Sequence, residues 1–139
     1  MSPFVSSARV GQKLYNHVVR KIPRNAIVAS QSIEIHVNWI PEPIGYIQTM
    51  NVITYRQGTR RISISRILLT NKVDVEELFG GQICFDIILL QRNNFGDIVP
   101  RTWFSDVKII HFSGYKWINH DTALCEEVQE AYFEDHVQF

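Results

Sequence analysis

Apolar and polar residues begin to alternate near residue 30. In "SIEIHVNWI", every second position from Ile33 to Trp39 is apolar, and Glu34, His36 and Asn38 lie between them. A period of two is typical of a strand, because successive side chains point to opposite faces of a sheet. The pattern predicts a strand that buries the face from Ile33 to Trp39 and exposes the other face.

A hairpin follows the break at "PEPIG", where prolines and a glycine interrupt the strand pattern. Tyr46–Tyr55 is rich in residues that favour strands, and "RQGTR" supplies a turn. After the turn, Ile62 and Ile64 alternate with two serines. These features predict two antiparallel strands.

The second half of the chain contains further strand signals. "ICFDIILL" is a continuous apolar run and predicts a central strand, and "QRNNFGD" is rich in turn residues. "IVPRTWFSDVKIIHFSGYKW" predicts one or two more strands.

The closing segment "EEVQEAYFEDHV" has Glu and Ala, which favour helix, but strands precede it, and we predict a strand. Strict alternation would then place Val128 and Tyr132 on one face with Glu130 and Glu134, and Gln129, Ala131 and Phe133 on the other.

The best helix candidate is "NKVDVEELFGGQ". Asp74 is suited to cap the helix, and Glu76 and Glu77 suit a first turn, where backbone N–H groups face outward. Gly80 and Gly81 end the pattern. We expect about two helical turns here.

These elements predict a mainly β fold, an antiparallel β-sandwich or barrel with six to eight strands and one short helix. We expect a single domain over residues 30–139. We expect residues 1–29 to form an N-terminal arm or a short helix, because "ARVGQKLYNHVVRKIP" is only weakly helical and ends at Pro23.

The composition is that of a globular protein made in a reducing compartment. The 139 residues contain two cysteines, Cys84 and Cys125, without the spacing of a metal site, and we expect both to be free thiols that are buried or half-buried. We place Cys84 inside an apolar strand. The N-terminus does not resemble a signal peptide, and no apolar run is long enough to cross a bilayer.

The net charge of 0 conceals a strong asymmetry. Residues 1–70 carry nine Lys or Arg and two Asp or Glu, whereas residues 71–139 carry five and twelve. Six of these carboxylates lie between Asp121 and Asp135, a stretch without Lys or Arg. Such a chain is suited to meet copies of itself head to tail, unless folding brings the two halves together and cancels the asymmetry.

The sequence lacks the common signatures of catalysis. The five histidines form no HExxH pair, there is no GxSxG, and Gly80-Gly81 suits a helix end better than a phosphate site. We therefore predict no catalytic, cofactor-binding or metal-binding residue.

A basic hairpin tip near aromatic residues supports a second hypothesis, a platform that binds single-stranded nucleic acid. The basic residues at this tip are Arg56, Arg60, Arg61 and Arg66.

The order of the segments resembles that of bacteriophage tail-tube proteins and related proteins of type VI secretion. "PEPIGYIQTMNVITYRQGTRR" is similar to the early hairpin of that family, and "FGGQICFDIILLQRNNFGDIV" to its middle strand pair. "RTWFSDVKIIHFSGYKWINHDTALCEEVQEAYFED" is similar to its ending. The likeness spans roughly residues 30–139. The hairpin around Gln57 and Gly58 is short for a tube subunit.

This resemblance implies a structural virion protein that works without turnover or a cofactor. Such subunits form hexameric rings that stack into a hollow tail tube, through which genomic DNA passes without specific binding. Their partners are further copies, together with sheath, baseplate and tape-measure proteins, and they assemble in the bacterial cytoplasm and not in a membrane. A single-ring component, such as a tube initiator or a completion or terminator protein, fits the same pattern.

The charge asymmetry suggests which residues such subunits would bring together. We predict a subunit interface between basic residues of the hairpin and acidic residues of the C-terminal segment. The candidates are Arg56, Arg60, Arg61, Glu126, Glu127, Glu130, Glu134 and Asp135. The competing hypothesis is a soluble β-barrel that binds a small ligand or a nucleic acid.

Overall fold

Antiparallel strands make up most of the described residues, 31–54 and 60–139 of a computed structural model. The mainly β class with one short helix is confirmed for these residues. Outside them lie the predicted N-terminal arm, the turn around Gln57 and Gly58, and Arg56. The elements are β1 (Gln31–His36), β2 (Gly45–Thr54), β3 (Arg60–Thr70), α1 (Val75–Phe79), β4 (Phe85–Arg92), β5 (Ile98–Phe112), β6 (Tyr115–Asn119), β7 (Thr122–Tyr132) and β8 (Asp135–Gln138).

The strand pairing closes into a barrel. The strands follow the order β6-β7-β3-β2-β1-β4-β5-β8, and β7 also pairs with β5. This last pairing joins β7, β3, β2, β1, β4 and β5 into a ring of six strands, in which every pairing is antiparallel. Strands β6 and β8 continue the sheet beyond the two ends of this closure. The predicted central position of β4 is confirmed, because β4 pairs with both β1 and β5.

One long bent hairpin supplies the last four strands. The pairs Phe104↔His136, Lys108↔Tyr132 and Trp117↔Ala123 share one register, which an irregularity at His111↔Glu130 interrupts locally. Hence β5 and β6 form one arm, and β7 and β8 form the other. The bend between β5 and β6 lies at Gly114, whose φ of 116° disfavours other residues.

The barrel interior is filled with branched aliphatic residues. Ile35, Ile64, Ile67 and Ile87 are fully buried there. At Gly45 the backbone of β2 lies so close to β3 that a Cβ atom would overlap Leu68 O. A glycine is therefore required at this position for the interior to close.

Strand β1 departs from the predicted division into a buried and an exposed face. Ile33, Ile35 and Val37 are buried as expected, but Trp39 is 63% exposed because the strand ends at His36 and a turn follows. Glu34 and His36, predicted on the exposed face, are each only 8% exposed. A second apolar cluster accompanies them on the outer face, formed by Ile88, Leu90 and Trp103 with Ile98 and Val137 packed against it.

Strand β7 is confirmed as a strand, but its predicted alternation is wrong. Val128 and Ala131 are both buried although strict alternation puts them on opposite faces. The reason is an irregularity in the pairing with β3, because Ile62↔Ala131 is followed by Ile64↔Val128, so that three steps along β7 match two along β3. Such a bulge inserts one residue and turns the following side chains to the other face.

Helix α1 begins and ends as predicted. The Asp74 carboxylate accepts hydrogen bonds from the backbone N–H groups of Glu76 and Glu77, and Gly80 caps the other end. Five residues give a single turn and a half rather than two. Phe79 packs the helix against the long hairpin by stacking on Phe112 and Tyr115, at centroid distances of 5.0 and 5.3 Å.

Candidate assembly surface

The fold places the predicted basic and acidic interface residues beside one another in the same chain. Strand β3 carries the arginines, and it pairs with β7, which carries most of the carboxylates. Among the described residues, Arg60, Arg61 and Arg66 of the basic half therefore lie beside carboxylates of the acidic half along this seam. For these strands, folding brings basic and acidic residues together within one chain, which is the alternative to a contact between copies.

Arg60 is held by the segment between β7 and β8. Its guanidinium donates to Glu134 O at 3.0 Å and to the Asp135 carboxylate at 3.3 Å. It also lies over the Phe133 ring, 5.9 Å from the centroid. The side chains of Arg60 and Asp135 remain 41% and 37% exposed, so water screens their attraction and this pair contributes little to stability.

Arg61 forms a second group with Glu130 and Tyr132. The guanidinium lies 3.2 Å from the Glu130 carboxylate and 5.2 Å from the centroid of the Tyr132 ring. The Tyr132 hydroxyl donates to the same carboxylate. This hydrogen bond is the main reason that the pKa of Tyr132 is raised, since losing the proton would break it.

The remaining predicted interface residues are more loosely held. Glu126 lies 3.8 Å from Arg66, and both side chains are more than half exposed. Glu127 is exposed, while its backbone N–H bonds the Ser113 hydroxyl. Their contact with another subunit stays a prediction, as does that of the residues paired within the chain.

Three carboxylates approach one another where β4, β5 and β8 meet. Asp106 has a positive φ of 51°, and its backbone N–H donates to the Asp86 carboxylate at 3.1 Å. Burial raises the pKa of Asp86. The Asp106 charge raises the pKa of Glu134. Like charges in this cluster disfavour the ionised forms.

Two buried ionisable residues lie on the outer wall of the barrel. His36 Nε2 is 2.8 Å from Glu34 Oε1. Their strands place them beside Tyr46 and Asp86, because Glu34 pairs with Tyr46 and His36 with Asp86. Burial, and then the Glu34 charge, raise the pKa of Tyr46. In the described part of the chain, no three His, Cys, Asp or Glu side chains form a group suited to a metal ion.

Both cysteines are free thiols, but Cys84 is not where we predicted it. It is exposed and directly precedes β4, whereas Cys125 is buried in β7. The reason is that β4 begins at Phe85. Desolvation, followed by the nearby Asp106 charge, raises the pKa of Cys84, so the reactive thiolate is disfavoured.

Apolar side chains are exposed on and near β6. Trp117 and Ile118 are 48% and 53% exposed, and Ile110 is 46% exposed on the same arm of the long hairpin. Tyr46 and Leu68, which pair across β2 and β3, are also partly exposed, at 48% and 38%. Exposed aromatic and aliphatic side chains on an edge strand are typical of protein contact surfaces. This surface was not among the sequence predictions. The adjacent Trp117 and Ile118 were a usable signal for it, because neighbouring strand residues point to opposite faces and an edge strand seldom has both faces covered.

Two strand edges complete this candidate assembly surface. Within residues 31–54 and 60–139, β6 pairs only with β7, and β8 pairs only with β5. The other edge of each strand therefore has backbone groups without a strand partner among these residues. Such edges readily accept a strand from another chain.

No helix among the described residues has the length and apolar character needed to span a membrane. Searches of protein families, curated proteins and solved structures find no match to the chain. The likeness to tail-tube proteins therefore rests on the pattern and order of the sequence segments.

Proposed function

We propose that this protein is a structural subunit that self-associates into rings, and that these rings stack into a tube of the phage-tail kind. The observation that carries the proposal is the pair of strand edges, β6 and β8, at opposite ends of one sheet. The exposed Trp117 and Ile118 beside one of them add apolar surface that an assembly would bury.

Edges at opposite ends of a sheet favour a repeating contact. A subunit that offers one edge and receives another makes the same contact with a neighbour on each side. If the rotation between neighbours closes, the product is a ring, and if it does not, the product is a filament. Ring closure is what the resemblance to tail-tube proteins implies, with six subunits in a ring.

Stacking of the rings draws on a different surface. Glu126 and Glu127 are exposed on β7, and Arg66 is exposed on the neighbouring strand. Charges at the rim of a contact set its orientation more than its strength. They are suited to order one ring on the next, and an acidic lining would repel DNA during passage. A single-ring tail component would form the contact between neighbours in a ring but not the contact between stacked rings.

Negative-stain electron microscopy, with light scattering behind a sizing column, tests the proposal. We expect rings at raised protein concentration, together with stacks of rings if the protein is a repeating tube subunit. Rings without stacks would assign it to the single-ring components. A monomer that persists at every concentration and salt level would contradict the proposal, and affinity of that monomer for single-stranded nucleic acid would favour the binding-module hypothesis.

A further inference from the structure

We infer that the contact between neighbouring subunits is a strand pairing between β6 of one copy and β8 of the next. This inference rests on the proposed function and adds the surface and the partner to it. Four features of the two strands support it: their outward-facing backbone groups, their charge, their length and their positions in the sheet.

The hydrogen-bond pattern shows which groups of β6 face its open edge. The Ser113 N–H donates to Glu127 O at 2.9 Å, across the long hairpin. Antiparallel pairs alternate between hydrogen-bonded and non-bonded. In the same register, Tyr115 is a bonded residue, and the N–H and C=O of Lys116 point away from β7.

The same argument applies to β8. The Phe139 N–H donates to Arg101 O at 2.9 Å. Alternation from this pair makes His136, opposite Phe104, a residue whose N–H and C=O point away from β5. The His136 N–H is bonded to the Asp135 carboxylate at 2.8 Å, so β8 presents chiefly the His136 C=O at its open edge, and β6 presents the N–H and C=O of Lys116.

The charges of the two strands are complementary. Lys116 is the only Asp, Glu, Lys or Arg residue of β6, whereas β8 contains Asp135, is directly preceded by Glu134 and has no Lys or Arg. The Asp135 side chain is 37% exposed while its carboxylate contacts Arg60 and accepts from the His136 N–H, so the negative charge lies near the open edge of β8. A pairing of two β6 strands would instead bring two lysine-bearing edges together.

The lengths of β6 and β8 and their positions in the sheet also fit a pairing between copies. Strands β6 and β8 contain five and four residues, so the short ladder they form would leave little of either edge unpaired. They lie at the two ends of the sheet order. Each copy therefore offers a β6 edge on one side and a β8 edge on the other, which is the condition for a ring.

Proline substitutions that cap one edge at a time test the inference. Lys116→Pro and His136→Pro each remove an N–H that faces an open edge and leave the bonded positions of the hairpin intact. We expect each variant to need at least about tenfold more protein for assembly. Lys116→Ala and His136→Ala retain the N–H groups and are the matched controls, and circular dichroism checks that all four variants fold.

Mixing the two proline variants makes the test decisive. Lys116→Pro retains a usable β8 edge and His136→Pro retains a usable β6 edge, so an equimolar mixture should form heterodimers but no larger species. If His136→Pro formed dimers by itself and Lys116→Pro did not, β6 would pair with β6, and the inference would be wrong.

The outcomes also separate this inference from the proposed function. A wild-type protein that remains monomeric contradicts both. Wild-type rings together with rings of both folded proline variants contradict the pairing of β6 with β8 and leave the proposed function standing, with its contact on another surface.

Discussion

At the scale of single residues, two backbone positions are unusual. Among the described residues other than glycine, only Arg66 and Asp106 have positive φ angles, 56° and 51°. This left-handed conformation costs an L-residue about 1 kcal/mol, because Cβ approaches the backbone carbonyl. The Arg66 side chain contributes little in return, since its ion pair with Glu126 is long and exposed.

Arg66→Gly should therefore stabilise the protein. We expect a gain of about 0.5–1 kcal/mol in the free energy of unfolding, since glycine adopts positive φ without strain. Urea denaturation followed by tryptophan fluorescence measures it. Arg101→Gly is the control, because this exposed strand residue has no positive φ, and there the same change should destabilise. Equal losses at both positions would show that Arg66 is not strained.

The half-buried Asp86 carboxyl predicts how stability depends on pH. Burial raises its pKa above the ordinary value of 3.8, so between that value and the raised one the folded protein binds more protons than the unfolded chain. Stability attributable to this group therefore falls as the pH rises through that window. Asp86→Asn retains an acceptor for the Asp106 N–H and should flatten this part of the profile.

The free energy of unfolding is measured by urea denaturation at pH values from 3.5 to 7.5, spaced about half a pH unit apart around the ordinary carboxyl range. Asp97→Asn, in the exposed turn before β5, serves as the control and should leave the slope unchanged. A profile of Asp86→Asn that parallels the wild-type profile would contradict the assignment of this slope to Asp86.

At the scale of elements, local signals predicted structure well. Helix α1 was predictable because its cap, acidic first turn and glycine stop are all close in sequence. The exposure of Trp39 and the bulge in β7 were not, since both depend on where a partner strand ends or shifts. The burial of Glu34 and His36 likewise depends on what lies over the outer wall, which alternation in one strand does not reveal.

The cap of α1 gives a prediction at this scale. Asp74→Ala removes the acceptor for the N–H groups of Glu76 and Glu77, and we expect a loss of about 1 kcal/mol in stability. Asp74→Asn keeps an acceptor oxygen and should lose much less. Thermal unfolding by circular dichroism measures both, and equal losses would mean that the charge rather than the hydrogen bonds matters.

At the scale of the whole molecule, neither the closure of the barrel nor the pairing of the basic strand β3 with the acidic strand β7 could be predicted from the sequence. Nothing local indicates that β7 pairs with both β3 and β5, and that arrangement is what brings Arg61 to Glu130. The charge asymmetry was real, but from sequence alone it predicted a contact between chains as readily as one within a chain. The candidate surface on β6 remained hidden for a related reason, because exposure depends on which strand ends the sheet.

A charge swap tests whether this seam acts within one chain. Arg61→Glu and Glu130→Arg should each lower stability by about 0.5–1 kcal/mol, and the double variant should recover part of the loss because the pair is restored in reverse. Urea denaturation at dilute concentrations, where copies do not meet, measures the coupling. Losses that simply add would show that the two residues do not interact within the monomer.

Because β5 to β8 pair with one another in the long hairpin, the polypeptide can be divided into two complementary pieces. A cut in the exposed turn at Asn94–Asp97 would leave β5 to β8 on one fragment, held together by their own pairing, and β1 to β4 with α1 on the other. The two fragments would rejoin along two strand seams, β4 with β5 and β3 with β7, and through the packing of α1 on the hairpin. The connection between β4 and β5 is thus a natural site for splitting the protein into reporters that regain structure when they reunite.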